Sequence, residues 1–215
     1  MRIHNQSGVG LYLYNDSNGN TRQTGAKVSF AHHLILDKHM EQFLSFGISY
    51  NYNQFRIETE NFTDQDIAVT DDRRLINHNF DVGALYRKNN FYLNFAIGNI
   101  LNKDIDMFTG IEPMALRNYQ VYTGYVIKDI SNKDFEIEPS MYFQYFESDA
   151  RSTTDLNLKF RFHSIDNYYW AGISYRFLND QLLEPLNVGP MFGFKMKNFY
   201  FAYSYQVTMN ELFSY

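Results

Sequence analysis

Leu156-Asn157-Leu158-Lys159-Phe160-Arg161-Phe162 alternates without a break, four large apolar side chains on one parity and Asn, Lys and Arg on the other. Successive side chains of an extended chain point to opposite faces, so this stretch reads as a strand with one apolar and one polar face. The pattern recurs to either side. From Phe199 to Val207 the odd positions are Phe199, Phe201, Tyr203, Tyr205 and Val207, against Tyr200, Ala202, Ser204 and Gln206. From Leu44 to Tyr52, Leu44, Phe46, Ile48, Tyr50 and Tyr52 alternate with Ser45, Gly47, Ser49 and Asn51. Apolar runs at helical spacing are absent.

Working outward, eleven such segments can be marked, at 6–14, 23–36, 42–56, 78–88, 90–101, 117–129, 135–147, 154–164, 167–178, 187–197 and 198–209. Their connections alternate in length. The short ones, Asp37-Lys38-His39, Lys88-Asn89-Asn90, 131–134, Asp166-Asn167 and Lys197-Asn198, are rich in Asn and Asp, which tolerate left-handed backbone. The long ones are 15–21, 57–77, 102–116 and 179–186, with 147–153 intermediate. Long two-faced strands, short turns at one end and long loops at the other are the pattern of an antiparallel transmembrane β-barrel, apolar face to lipid and polar face to the lumen. Small residues on the polar parity agree with this: Gly47 and Ser49, Ala96 and Gly98, Gly172 and Ser174. The competing reading is a soluble barrel or sandwich, whose sheets also have one wet face. Strand length and loop asymmetry favour the membrane barrel, and a lipocalin-like barrel has eight strands, not eleven.

Bacterial single-chain barrels have an even number of strands. An odd count therefore predicts that residues 1–215 form one outer-membrane β-barrel domain truncated at both ends, with 12–14 strands when complete. The rival explanation is a miscounted strand, with Phe213-Ser214-Tyr215 as a true aromatic terminus.

Composition excludes other classes. There is no Cys among 215 residues, so no disulfide scaffold, thiolate metal site or Cys nucleophile. A net charge of −5 argues against a nucleic-acid partner. Aromatic residues make up 18% of the chain, far from a disordered composition. Mean hydropathy is only −0.43, because the average runs over two opposite faces and polar loops. No apolar run reaches the length of a transmembrane helix, and the start, Met1-Arg-Ile-His-Asn5, has no apolar signal region.

The polar parity of the last strands is ionic. Folding 135–147 on 154–164 about residue 150 sets Glu138 opposite Arg161, Glu136 opposite His163 and Gln144 opposite Asp155. Folding the next pair about Asp166-Asn167 sets Arg176 opposite Asn157, one diagonal from Asp155. The expected luminal charge ladder is thus Glu136, Glu138, Asp155, Lys159, Arg161, His163 and Arg176. It reads first as filling that rigidifies a lumen, since opposite charges across strands stabilise by roughly 0.2–1 kcal/mol a pair. The alternative is a selectivity lining or a surface for a plug.

Other constellations carry less. His32 and His33 are adjacent on a strand and point to opposite faces, so they cannot share a metal. Glu58, Glu60, Asp64, Asp66, Asp71 and Asp72 make the 57–77 loop acidic, but without EF-hand spacing, and Arg73 and Arg74 dilute the charge. No G-x-S-x-G or glycine-rich phosphate loop occurs, no catalytic residue stands out, and neither cofactor nor metal is expected.

In order along the chain, several short phrases resemble the PorP/SprF family of type IX secretion system membrane proteins. They are Gly8-Val-Gly-Leu-Tyr-Leu-Tyr-Asn-Asp16, Thr24-Gly-Ala-Lys-Val-Ser-Phe-Ala-His-His33 and Leu44-Ser-Phe-Gly-Ile-Ser49. The most distinctive are Phe135-Glu-Ile-Glu-Pro-Ser-Met141, Thr154-Asp-Leu-Asn-Leu-Lys-Phe-Arg-Phe162 and Tyr169-Trp-Ala-Gly-Ile-Ser-Tyr-Arg176, with Ala202-Tyr-Ser-Tyr205 and Met209-Asn-Glu-Leu212 following. The family's usual opening and its closing strand are not seen. The resemblance implies a Bacteroidota outer-membrane, non-enzymatic accessory of type IX secretion that assists export or surface anchoring of adhesins, often in gliding motility. It implies as partners membrane lipid, the C-terminal domains of secreted adhesins, and the periplasmic ring or motor components. Two other functions stay open on the residues alone: a passive porin or small-molecule uptake channel, and an outer-membrane hydrolase.

Overall fold

The computed structural model describes residues 2–4, 6–57, 73–101, 117–128, 134–147, 150–164, 167–180, 184–197 and 199–209. Every regular element in them is a strand: β1 (Arg2–His4), β2 (Ser7–Asn18), β3 (Thr21–Asp37), β4 (Gln42–Ile57), β5 (Arg73–Lys88), β6 (Phe91–Gly98), β7 (Asn118–Tyr125), β8 (Ile127–Lys128), β9 (Phe135–Phe146), β10 (Ser152–Ser164), β11 (Asn167–Leu178), β12 (Glu184–Met196), β13 (Phe199–Ser204) and β14 (Val207–Thr208). Strand neighbours follow chain order from β1 to β13, with β8 continuing the line of β7 against β9 and β14 that of β13 against β12. The eleven expected segments are all present. β1 adds a twelfth position to the strand order among the described residues; three residues are too short for alternation to announce them.

The chain divides into two compact units, 1–34 with 45–84 and 97–117, and 35–44 with 85–96 and 118–215. The division falls inside strands, since β3, β4, β5 and β6 each contribute to both.

In the first unit, β2 and β3 pair antiparallel from Ser7↔His32 to Asn18↔Thr21. The expected long loop at 15–21 is therefore a two-residue hairpin, Gly19-Asn20, with Gly19 at φ +57°. A tight hairpin needs left-handed backbone there, which glycine adopts without steric cost. Asn15 to Asn18 are polar and read as loop, but they extend the ladder. The hydrogen bonds of a strand are backbone bonds, indifferent to side-chain polarity. The loops expected at 57–77, 147–153 and 179–186 shorten for the same reason, because β5 starts at Arg73, β10 at Ser152 and β12 at Glu184. The 102–116 loop, the acidic residues 58–72 and the segment 210–215 lie outside the described residues.

In the second unit, β9, β10, β11, β12 and β13 form an unbroken antiparallel run. The register differs from expectation by two residues. Glu136 faces Arg161, not His163; Glu138 faces Lys159, not Arg161; and Gln144 faces Thr153, not Asp155. Asp155, not Asn157, faces Arg176. Alternation has period two, so a slip of two leaves every side chain on its face. The pattern selects the face, and the turn selects the register. β10 closes on β11 through Ser164↔Asn167, one residue earlier than a turn centred on Asp166-Asn167 would give.

Burial is inverted relative to a soluble protein. Among the described residues no large apolar side chain is buried, while Ser45, Asn77, Asn79, Asn118, Glu136, Glu138, Ser140, Thr154, Asp155 and Ser174 are. Leu156, Leu158, Phe160 and Phe162 are all exposed on β10, and Phe199, Phe201 and Tyr203 on β13. Each such side chain contributes about 1.5–3 kcal/mol when removed from water. Left in water on every strand, they would forgo more than the roughly 5–15 kcal/mol net stability of a domain. The apolar face is built for lipid, which makes the fold an antiparallel transmembrane β-barrel type with its polar side inward.

Candidate functional site

The buried polar face of β9, β10 and β11 gathers the seven expected ladder residues into two groups. Glu136 and Glu138 stand two apart on β9, hence on one face. Arg161 on β10 reaches both: its Nη1 lies 3.0 Å from Glu136 Oε2, and its Nη2 bonds Glu138 Oε2. Lys159 Nζ is 3.6 Å from Glu138 Oε1, and His163 Nε2 is 2.9 Å from Glu136 Oε2. The second group is the pair Arg176–Asp155, held by two bonds of 2.6 Å, Nε to Oδ1 and Nη2 to Oδ2. A planar guanidinium fits a carboxylate in this way and a lysine does not.

Aromatic side chains the alternation did not single out complete the face. Tyr92 OH donates to Glu138 Oε1 at 2.7 Å and lies 3.2 Å from Tyr122 OH, from which it can accept. Lys159 Nζ lies 5.7 Å from the Trp170 ring centroid. These rings need room, and glycines supply it. A Cβ at Gly124 would strike the Tyr92 ring, and one at Gly193 would strike the Trp170 indole. In the first unit Gly25 accommodates the ring of its cross-strand partner Tyr14 in the same way. The available signal was parity: Trp170 shares phase with Gly172, Ser174 and Arg176, and so belongs to the polar face.

The first unit has its own polar contacts. Lys27 Nζ meets Asp81 Oδ2 at 2.6 Å, and Asp81 Oδ1 accepts the backbone N–H of Asn99 at 2.9 Å. Ser29 and Ser49 join across β3 and β4 at 2.8 Å. Asn79, 2% exposed, takes the place of a strand neighbour. Its Oδ1 accepts the N–H of Leu101 at 2.9 Å and its Nδ2 donates to Leu101 O at 3.2 Å. It holds the backbone beyond β6, where Asn99 is at φ +56°. His32 and His33 reach different strands, His32 Nδ1 lying 2.8 Å from Ser7 Oγ and His33 Nδ1 2.5 Å from Ser45 Oγ. Alternation alone does not reveal these two Ser–His contacts. No grouping of His, Asp and Glu able to hold a metal occurs among the described residues.

Two features decide the class: the apolar face is outside, and the inner face is an interlocked set of charges, hydroxyls and rings. The description "type IX secretion system membrane protein PorP/SprF" matches residues 1–215. The chain belongs to the PorP/SprF family. No curated protein matches it. A PorP/SprF protein is a membrane component of the type IX secretion system, working with other components of that system, and its fold is a β-barrel. The family is not a known class of enzyme.

Proposed function

We propose that this PorP/SprF protein is a non-enzymatic accessory of type IX secretion in the bacterial outer membrane, assisting export or surface anchoring of adhesin-type cargo, in gliding or adhesion. Its partners are the C-terminal domains of secreted adhesins, engaged by the loops or the barrel interior, and the periplasmic ring or motor components, met by the short turns. Residues 1–215 belong to a single barrel domain of 12 or 14 strands. Glu136, Glu138, Asp155, Lys159, Arg161, His163 and Arg176 act as luminal filling that stiffens the wall.

The observation that carries this reading is the mutual satisfaction of the inner charges. Arg161 spans Glu136 and Glu138, and Arg176 takes both oxygens of Asp155. Groups committed to one another favour a wall over an ion path. Deleting the gene should abolish surface display of a partner adhesin, read by antibody labelling of intact cells; unchanged display sinks the proposal. In a planar bilayer the purified protein should give no stable ion-selective conductance; a steady selective pore would establish the porin reading instead. Turnover of lipid or peptide substrates, lost on Ser45→Ala, would establish a hydrolase.

A further inference from the structure

Tyr168 on β11 is surrounded by cations. The Arg161 guanidinium carbon lies 5.8 Å from its ring centroid and the Lys195 ammonium 6.0 Å. The His163 ring is 5.7 Å away and the Tyr200 ring 6.3 Å. Register explains the grouping. His163, Tyr168, Lys195 and Tyr200 are direct neighbours across β10, β11, β12 and β13, so they form one row on the inner face near the short turns. All four belong to the second unit.

Among the described residues, charge in this region is unevenly placed. Arg161 is committed to Glu136 and Glu138, and Lys159 approaches Glu138. Lys128 on β8 stands opposite Glu136. Lys195 has no carboxylate among the described residues; it meets only the face of Tyr168. Among the described residues the carboxylates of this region, Asp134, Glu136 and Glu138, all lie on or beside β9, so that Lys195 on β12 is the cation that stands apart from them. Lys133 and Asp166, in the adjoining turns, lie outside the described residues. Two cations beside one ring repel each other, and an anion seated between them would relieve the repulsion. The hydroxyls of Tyr168 and Tyr200 add donors on either side.

The row also has length. Neighbouring strands are about 4.8 Å apart, so four strands span roughly 14 Å, which an extended peptide covers in about four residues. A point anion would use one position of it. We propose that this row, centred on Lys195 with Tyr168 and Tyr200 beside it, binds an acidic peptide segment in extended form, entering from the short-turn end. The choice of a peptide among polyanions rests on the secretion role proposed above.

The test uses the full chain in detergent micelles and fluorescence anisotropy of a labelled octapeptide of alternating Glu and Ser. The acidic peptide should bind, and its Gln/Ser counterpart should bind at least about tenfold more weakly. Lys195→Gln should weaken binding about tenfold, the effect of losing one charge-assisted hydrogen bond, while Lys195→Arg retains it. Equimolar inorganic phosphate should not compete. Equal binding of the two peptides, no effect of Lys195→Gln in a variant with an unchanged unfolding midpoint, or full competition by phosphate would each overturn the proposal. The two failures are separable. Loss of surface display on gene deletion without peptide binding removes this inference alone, and peptide binding with normal display removes the secretion role alone.

Discussion

Asp155 on β10 and Arg176 on β11 are direct cross-strand partners, and the guanidinium holds both carboxylate oxygens at 2.6 Å. The pair is unevenly exposed: the Asp155 side chain is 12% accessible and that of Arg176 41%. Open surface pairs contribute about 0–1 kcal/mol, and breaking a buried pair costs about 3–5. This pair lies between, so Arg176→Ala should destabilise by about 1–3 kcal/mol. Arg176→Lys should recover less than half, because one ammonium cannot make the fork. Urea unfolding in detergent, followed by heat-modifiable gel mobility, reads both. A Lys variant equal to wild type would show that the fork contributes nothing beyond charge.

Trp170 is the chain's single tryptophan, and it lies over Gly193, its partner on β12. A methyl group at 193 would collide with the indole and with the carbonyl of Phe201. Gly193→Ala should therefore cost about 1–3 kcal/mol by overpacking, and the indole emission should shift. Gly10→Ala is the control, since its nearest neighbour would be Ser29 Cβ at 3.9 Å. Matching unfolding midpoints for the two variants would remove the packing role assigned to Gly193.

Which parts of the molecule the sequence disclosed follows from what each depends on. The faces of Leu156 to Phe162 were legible because burial against lipid acts on side chains one parity at a time. The partner of Arg161 was not legible. Glu136 and Glu138 share a parity, and the choice between them lies in the connection from Glu147 to Arg151, where Ala150 takes φ +56°. The extent of β2 was hidden for a different reason, since Asn15 to Asn18 look like loop while their backbone groups still pair. Tyr92 and Tyr122 were missed because a tyrosine satisfies either face: its ring suits lipid, and its hydroxyl suits Glu138.

Asn79 supplies a second kind of prediction, on local opening. Its side chain bonds both backbone groups of Leu101, and Ile100 N–H reaches Phe80 O at 2.9 Å. Asn79→Ala removes the first two bonds and leaves the Leu101 N–H without its partner, a penalty of about 1–3 kcal/mol. The Leu101 amide should exchange with deuterium about tenfold faster or more, while amides in the middle of β10 stay unchanged. Unaltered exchange at Leu101 would mean that Asn79 is not what holds this backbone.

The strongest test of the inside-out arrangement compares two adjacent positions on β10. Leu158 is on the exposed apolar face and Asn157 on the inner face, opposite Ser140 and Ser174. Lysine at a lipid-facing position near the bilayer centre costs about 2–4 kcal/mol, whereas luminal positions tolerate charge. Leu158→Lys should therefore lower folding yield into vesicles and the urea midpoint strongly, and Asn157→Lys should change both little. In water the ordering would reverse: the lysine at 158 would be solvated, and the one at 157 would have to enter a packed polar face. A soluble sheet would thus give the opposite result from the same two variants, so the comparison separates the two environments without a solved complex.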